Sequence, residues 1–337
     1  MEPLFFTPDF KERVWGGNKI KTFLKKEIPF EYTGESWEIA CHPNGQSIVK
    51  NGSLKGLTLE EALINEGEAI LGKQFKQTDK FPLLIKFIDA KDKLSVQVHP
   101  EDAYAALHEN GELGKSEAWY IIQAEPGSKL VAGLKDGVTR DEFERCLREN
   151  SLEEVLNEVE VKAGDVLDIP AGLIHAIGDG ILLAEIQQNS DTTYRVYDWG
   201  RVGLDGLPRE MHIQQSLDVI DFEHKHAKEL VVGKKQEFEG YQLTEFVRNA
   251  YFVLQELNIR STYTQHEEHD FEIYVCVKGQ GDIQFIESKI TETEAESITK
   301  TLPITLGDSF IIPKSLQEYT ISGNQEALVL MKGFIEA

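Results

Sequence analysis

One frame, written twice, constrains this chain more than any other feature. Gly164-Asp-Val-Leu-Asp-Ile-Pro-Ala-Gly-Leu-Ile-His175 reads as a turn, a short strand, a Pro-x-Gly turn and then a histidine. Gly307-Asp-Ser-Phe-Ile-Ile-Pro313 repeats its first half about 143 residues later. Two copies at that distance predict two related β-barrels, only one of which keeps the histidine. The 337 residues suit two such units at ~150 residues each.

The rest of the pattern agrees with a mainly β chain. Phe81-Pro-Leu-Leu-Ile-Lys-Phe-Ile-Asp89 reads as a buried strand, and Ala118-Trp-Tyr-Ile-Ile122 forms the apolar body of a strand from Glu117 to Gln123. Leu94 to His99 alternates apolar and polar, so Ser95, Gln97 and His99 fall on one face. Strand pattern runs again from Val161, from Ile181 to Gln187, and from Phe238 onward. Helices are expected from Leu57 with Thr58 as N-cap and Glu61 three residues on, from Pro100, and over 139–158 with Thr139 and Ser151 as caps. Residues 189–215 read as polar turns, and Thr291–Lys300 as a solvated loop or short helix. The expected division is a domain over 1–235, with helical insertions at about 56–80 and 101–160, and a β domain over 236–337.

Charge and cysteines narrow the function. With 58 acidic and 35 basic residues the formal net charge is −23, which disfavours nucleic acid and anionic membrane as partners. An anionic small molecule needs only local positive charge. The chain opens with no basic-then-apolar leader pattern and contains no run of ~18 apolar residues, so neither a signal peptide nor a spanning helix is expected. Cys41, Cys146 and Cys276 are odd in number and far apart, as expected of reduced thiols in the cytoplasm.

Potential metal ligands lie in three of these stretches. His99 and His175 offer imidazoles, Glu117 a carboxylate and Gln97 a weaker carbonyl oxygen. Zinc takes such nitrogen and oxygen donors, and a catalytic zinc keeps one position open. Taken singly, a Gln-x-His on a strand or a lone Glu117 is ordinary surface chemistry; the four together, gathered by strands of a barrel, point to one metal centre. His212, His224, His226, His266 and His269 are expected at the surface.

These residues carry a resemblance. Leu94-Ser-Val-Gln-Val-His-Pro100, Lys115-Ser-Glu-Ala-Trp-Tyr120, Ile169-Pro-Ala-Gly-Leu-Ile-His-Ala176, Glu185-Ile-Gln-Gln-Asn-Ser-Asp-Thr-Thr-Tyr-Arg195 and the early Gly34-Glu-Ser-Trp-Glu38 are similar to the motifs of type I mannose-6-phosphate isomerases of the short bacterial kind. The resemblance implies two cupin-like (jelly-roll) barrels and an enzyme that interconverts mannose 6-phosphate and fructose 6-phosphate. It implies one zinc per chain, on Gln97, His99, Glu117 and His175. Lys115 and Arg195 match the family's Lys-x-Glu pattern and active-site arginine, and Ser95 sits as expected two residues before Gln97. Arg201 stands where longer members carry a lysine, and the long helical domain of eukaryotic members has no full counterpart here.

Aldose–ketose interconversion through a cis-enediol needs a base at carbon, charge neutralisation at the enediolate oxygens and a proton carrier. Glu185 is expected either to transfer the proton or to orient a water or a ligand imidazole. Arg195, Lys115 and Arg201 are the expected cations for the phosphate or the enediolate, with Arg195 alternatively tied to Asp191 or Asp198. Ser95 is read as a phosphate donor or as a plain barrel hydroxyl. The second barrel is expected to be structural, with a cryptic metal site at His266, Glu268, Glu272 and Glu318 as the alternative. The rival to the enzyme is a non-catalytic bicupin that binds a sugar phosphate.

Overall fold

The structure, a computed structural model, describes residues 1–75, 80–223, 225–265, 269–290, 295–324 and 327–336, with backbone alone at 288–290 and 295–296. Strands dominate, and among the described residues they form two pairs of facing sheets and a small hairpin of Cys41–His42 with Gly45–Gln46. In the first pair a six-stranded sheet runs in the order Val166–Ile169, Glu117–Ala124, Ile181–Gln188, Leu83–Ala90, Asp9–Gly17, Thr33–Ile39. A five-stranded sheet faces it, ordered Leu156–Glu160, Lys129–Leu134, His175–Ile177, Val96–Val98, Tyr194–Tyr197. Trp15, Ile88, Trp119 and Leu167 from the first sheet and Leu130 and Ile177 from the second share the core between them.

The second pair sets an eight-stranded sheet against a four-stranded one, around Phe5, Leu257, Tyr274, Ile283, Phe310 and Ile321. This is the double-sheet cupin architecture expected of the repeated frame. Its turn glycines, Gly164 (φ 89°) and Gly307 (φ 87°), both hold the left-handed backbone that disfavours side chains. The strand Leu4–Thr7 pairs with Ser309–Ile312 and with Ile48–Val49, so the start of the chain completes the large sheet of the second pair. Phe87, Ala118 and Ile186 on one large sheet and Leu254, Ile273 and Met331 on the other lie in a single core, which joins the two halves.

Several local expectations change. Ala295–Thr305 is a strand paired residue for residue with Gln280–Ile290, because Ile298, Thr299, Thr301 and Ile304 are β-branched and the long hairpin supplies their partners; residues 291–294 lie outside the description. The expected helix over 139–158 stops at Arg148. Asn150 there turns to φ 56°, a 3-10 turn follows at Leu152–Val155 with no side-chain cap from Ser151, and Leu156–Glu160 joins a sheet. The helix after Pro100 begins at Asp102, leaving Pro100 outside it. The polar stretch 189–215 contains the strand Tyr194–Tyr197, held by Val96–Val98, and the start of the helix Ile213–Val219. Thr58 and Glu61 do form a reciprocal capping box on the helix Leu59–Leu71. Among the described residues no helix is long and apolar enough to cross a membrane.

Candidate active site

Alternation along the strands builds the site. Along Glu117–Ala124, Ala118, Tyr120 and Ile122 turn to the core between the halves, while Trp119 and Ile121 turn into the first barrel. Glu117 shares the inner side and is fully buried. His175 opens its strand directly after the turn that holds Gly172 (φ 88°), and Gln97 lies opposite it in register. His99 follows the same strand as Gln97.

These residues converge. His99 Nε2 lies 3.4 Å from Glu117 Oε2 and His175 Nε2 lies 3.5 Å from Glu117 Oε1. One ligand atom from each residue falls within 4.8 Å of the others. His99 Nδ1 bonds the carbonyl of Thr192 at 2.9 Å and His175 Nδ1 that of Leu173 at 2.8 Å. A carbonyl can only accept, so each Nδ1 carries the hydrogen and each Nε2 presents its lone pair inward. Both Nε2 atoms and both Glu117 oxygens are buried and make no hydrogen bond within the protein. Leaving such atoms unsatisfied is costly, and a divalent cation would satisfy all four. Burial, then Lys115, brings the His99 pKa down to about 3, and burial lowers that of His175. Burial pushes the Glu117 pKa up, but Lys115 and the two histidines hold it well below the usual range. Two neutral imidazoles and a carboxylate are a donor set that fits zinc, and Gln97 is the register partner of His175.

A second row crosses the same sheet. Register places Trp119, Glu185, Lys86 and Trp37 side by side on four adjoining strands. Glu185 accepts from Trp119 Nε1 at 2.8 Å and faces Lys86 Nζ at 3.2 Å. Lys86 in turn sits 4.9 Å over the Trp37 ring. Burial and then the Glu117 charge raise the Glu185 pKa, with Lys86 and Lys115 pulling against them. Lys115 Nζ is 3.0 Å from Glu117 Oε2. Burial lowers its pKa, but Glu117 and Glu185 outweigh burial and hold it above the usual lysine range.

The row opens onto a cleft of about 650 Å³, lined by Ser95, Gln97, Lys115, Glu185 and Arg195 among others. Arg195 Nε donates to Ser95 Oγ at 3.3 Å and its Nη1 to the Glu210 carbonyl at 2.8 Å. Asp198 is held instead by Arg201 and Arg209, and Asp191 accepts from Asn44. Arg201 lies off the cleft wall, between Asp198 and Asp92. A larger hollow of about 1360 Å³ beside the helix Leu59–Leu71 contains none of the ligand set. Lys86, Arg13 and Arg209, absent from the expected site residues, also line the cleft. Lys86 had a signal: it is a single charge inside the apolar run Leu83-Leu-Ile-Lys-Phe-Ile, and a lysine is not buried without a partner.

Comparison with known proteins agrees with this geometry. The model of the phosphomannose isomerase type I catalytic domain matches residues 4–145, and that of the mannose-6-phosphate isomerase cupin domain matches residues 242–331. The chain is 38% identical over 328 residues to mannose-6-phosphate isomerase ManA of Bacillus subtilis, spanning 97% of this chain and 98% of that one. It is 36% identical over 334 residues to mannose-6-phosphate isomerase of Streptococcus mutans, spanning 97% of each. The crystal structure of the mannose 6-phosphate isomerase from Bacillus subtilis superposes with a TM-score of 0.88 at 34% identity, over 99% of this chain and 100% of that one.

Proposed function

The chain belongs to the type I phosphomannose isomerase family, and on that premise we propose that it interconverts mannose 6-phosphate and fructose 6-phosphate with one zinc ion per chain. The observation that carries this is the convergence of four buried donor atoms from His99, Glu117 and His175, only one of them (Glu117 Oε2) ion-paired within the chain, beside a cleft. Gln97, His99, Glu117 and His175 would hold the ion. When bound, zinc supplies a Lewis acid that polarises the sugar's carbonyl.

The protein's own groups do the rest. Glu185 is the proton-transfer residue: its raised pKa brings its proton affinity towards that needed to take a hydrogen from one carbon and return it to the next. Lys86 and Trp119 fix the carboxylate by its two oxygens. The Lys115 ammonium stays protonated beside Glu117 and stabilises negative charge developing on the cis-enediol oxygens. Arg195 takes the substrate's phosphate, with Ser95 bonded to its Nε as a positioning hydroxyl. Arg201 acts through Asp198, which it helps to orient. The free thiols Cys41, Cys146 and Cys276 fit a reducing cytoplasm.

Turnover in D2O tests the route. Transfer through a cis-enediol lets the migrating hydrogen exchange with solvent, so fructose 6-phosphate formed from mannose 6-phosphate should carry deuterium at C1 by NMR. Rapid turnover with no deuterium in the product, together with full activity of Glu185→Gln, would exclude proton transfer by Glu185 in favour of a direct hydride shift. No turnover of mannose 6-phosphate by zinc-loaded protein would overturn the assignment itself.

A further inference from the structure

We propose that Arg209 is a second phosphate-binding residue of the cleft, acting as a pair with Arg195. The proposal rests on the sugar-phosphate reading above and adds a residue to it.

The charges that line the cleft are unequally compensated. Arg13 has Glu35 at 2.7 Å, Lys86 has Glu185 at 3.2 Å and Lys115 has Glu117 at 3.0 Å. Arg195 spends its described hydrogen bonds on neutral acceptors, the Ser95 hydroxyl and the Glu210 carbonyl. Arg209, the remaining cation of the lining, shares Asp198 with Arg201. Asp198 thus bonds two of the three neighbouring guanidiniums, Arg201 also facing the exposed Asp92, and Arg195 is left with no carboxylate partner among the described residues, in a chain whose net charge is −23. Of the other acids of this loop, Asp205 accepts from the Leu207 N–H of its own turn, and the exposed Glu210 carboxylate lies 4.0 Å from His212 Nε2. Burial, then the nearby Arg209, depresses the Arg195 pKa, with Asp198 pulling against them.

The backbone holds the pair in place. Arg209 ends a tight loop closed by Gly203 N–H to the Leu207 carbonyl at 2.7 Å and by the Val202–Pro208 bridge. The loop is then tied to the Arg195 strand: His212 N–H donates to the Arg195 carbonyl at 2.9 Å and Arg195 N–H to His212 Nδ1 at 3.2 Å. Asp198 receives Arg209 through Nε and Nη2, which leaves Nη1 for a ligand. Gln97 separates Arg195 from His175 in the sheet. Two strand spacings of ~4.8 Å put the arginine end roughly 10 Å from the metal ligands. A hexose phosphate with its carbonyl at the metal can span that distance to a phosphate held by two planar guanidiniums.

Arg209→Gln and Arg209→Lys in the zinc-loaded full chain test this. KM for mannose 6-phosphate should rise ~10–100-fold in Arg209→Gln, as for loss of one charge-assisted contact, and less in Arg209→Lys, with kcat changed only a few-fold. The inhibition constant for inorganic phosphate should rise by the same factor, while kcat/KM for free mannose should not change. An unchanged KM and phosphate constant would overturn the proposal. So would an equal loss on free mannose, which would make Arg209 a scaffold for Asp198. Should wild-type protein not isomerise mannose 6-phosphate, calorimetric titration with inorganic phosphate still separates the questions: weaker binding to Arg209→Gln upholds the anion site, and equal binding removes it.

Discussion

Glu117 and Glu272 occupy the same position in their two barrels. Each is register partner to an isoleucine, Ile169 or Ile312, that directly precedes the turn proline of the repeated frame. Two residues further along, Trp119 faces Glu185 in the first barrel, and Tyr274 faces Lys332 in the second. The duplication has therefore reversed a charge. Lys332 Nζ lies 2.7 Å from Glu272 Oε1, both residues are buried, and the hydroxyls of Tyr274 and Tyr319 bond the other oxygen. Lys332 and two tyrosine hydroxyls satisfy both oxygens of Glu272, whereas Glu117, paired with Lys115 through Oε2, also faces the Nε2 lone pairs of two histidines. Of the ligands considered for a cryptic second site, Glu318 is exposed, and His266 and Glu268 lie outside the described residues.

Lys332→Met should accordingly strand a buried carboxylate and destabilise the protein by roughly 3 kcal/mol. The double variant with Glu272→Gln should recover most of that loss. Urea denaturation of the two variants checks this, and equal stability of the single variant and wild type would contradict it.

Glu117→Gln should weaken zinc binding by more than the ~10–100-fold typical of losing an outer partner of a ligand. Lys115 and both histidines then lose the charge they face. Competition against a chromogenic chelator reads the affinity directly; unchanged affinity would remove Glu117 from the ligand set.

Glu185→Gln should retain zinc and lose ~10²–10⁴-fold in kcat, the usual worth of a general acid–base. Metal content and rate are measured on the same sample. Loss of zinc in step with activity would show that Glu185 orients the ligands and does not transfer the proton.

Glu35 gives a pH signature outside the metal centre. Burial raises its pKa, but Arg13 and then Lys86 outweigh burial and bring it from 4.5 to about 2. A depressed folded pKa contributes stability that is present above the unfolded value and lost as pH falls towards the folded one. With Arg13 34% exposed, screening reduces the gain to about 2 kcal/mol. Glu35→Gln should be less stable than wild type by that amount at pH 7, and the gap in urea midpoints should close between about pH 5 and pH 2. A gap that does not vary with pH would contradict the shift.

Local chemistry made half of this legible. The glycines and prolines of the repeated frame set turns by themselves, so two barrels and the place of His175 follow from a dozen residues. Period-two alternation likewise puts Gln97 and His99 on one face. Pairing between distant strands was not legible in the same way. Tyr194-Arg-Val-Tyr197 reads as part of a polar turn region until Val96–Val98 supplies its ladder, and Leu4–Thr7 belongs to the second large sheet only through Ser309–Ile312. The sequence marks Arg201 as a candidate cation for the phosphate and leaves Arg209 unmarked. Only the geometry turns one towards Asp92 and sets the other in the cleft wall.

The most direct test is a zinc titration of protein stripped with a chelator and dialysed, with fructose 6-phosphate formation from mannose 6-phosphate followed at each addition. The centre proposed on Gln97, His99, Glu117 and His175 predicts no turnover at the start, a linear rise and a break at one equivalent per chain. Full turnover by the stripped protein, or none at one bound zinc per chain, would contradict the account.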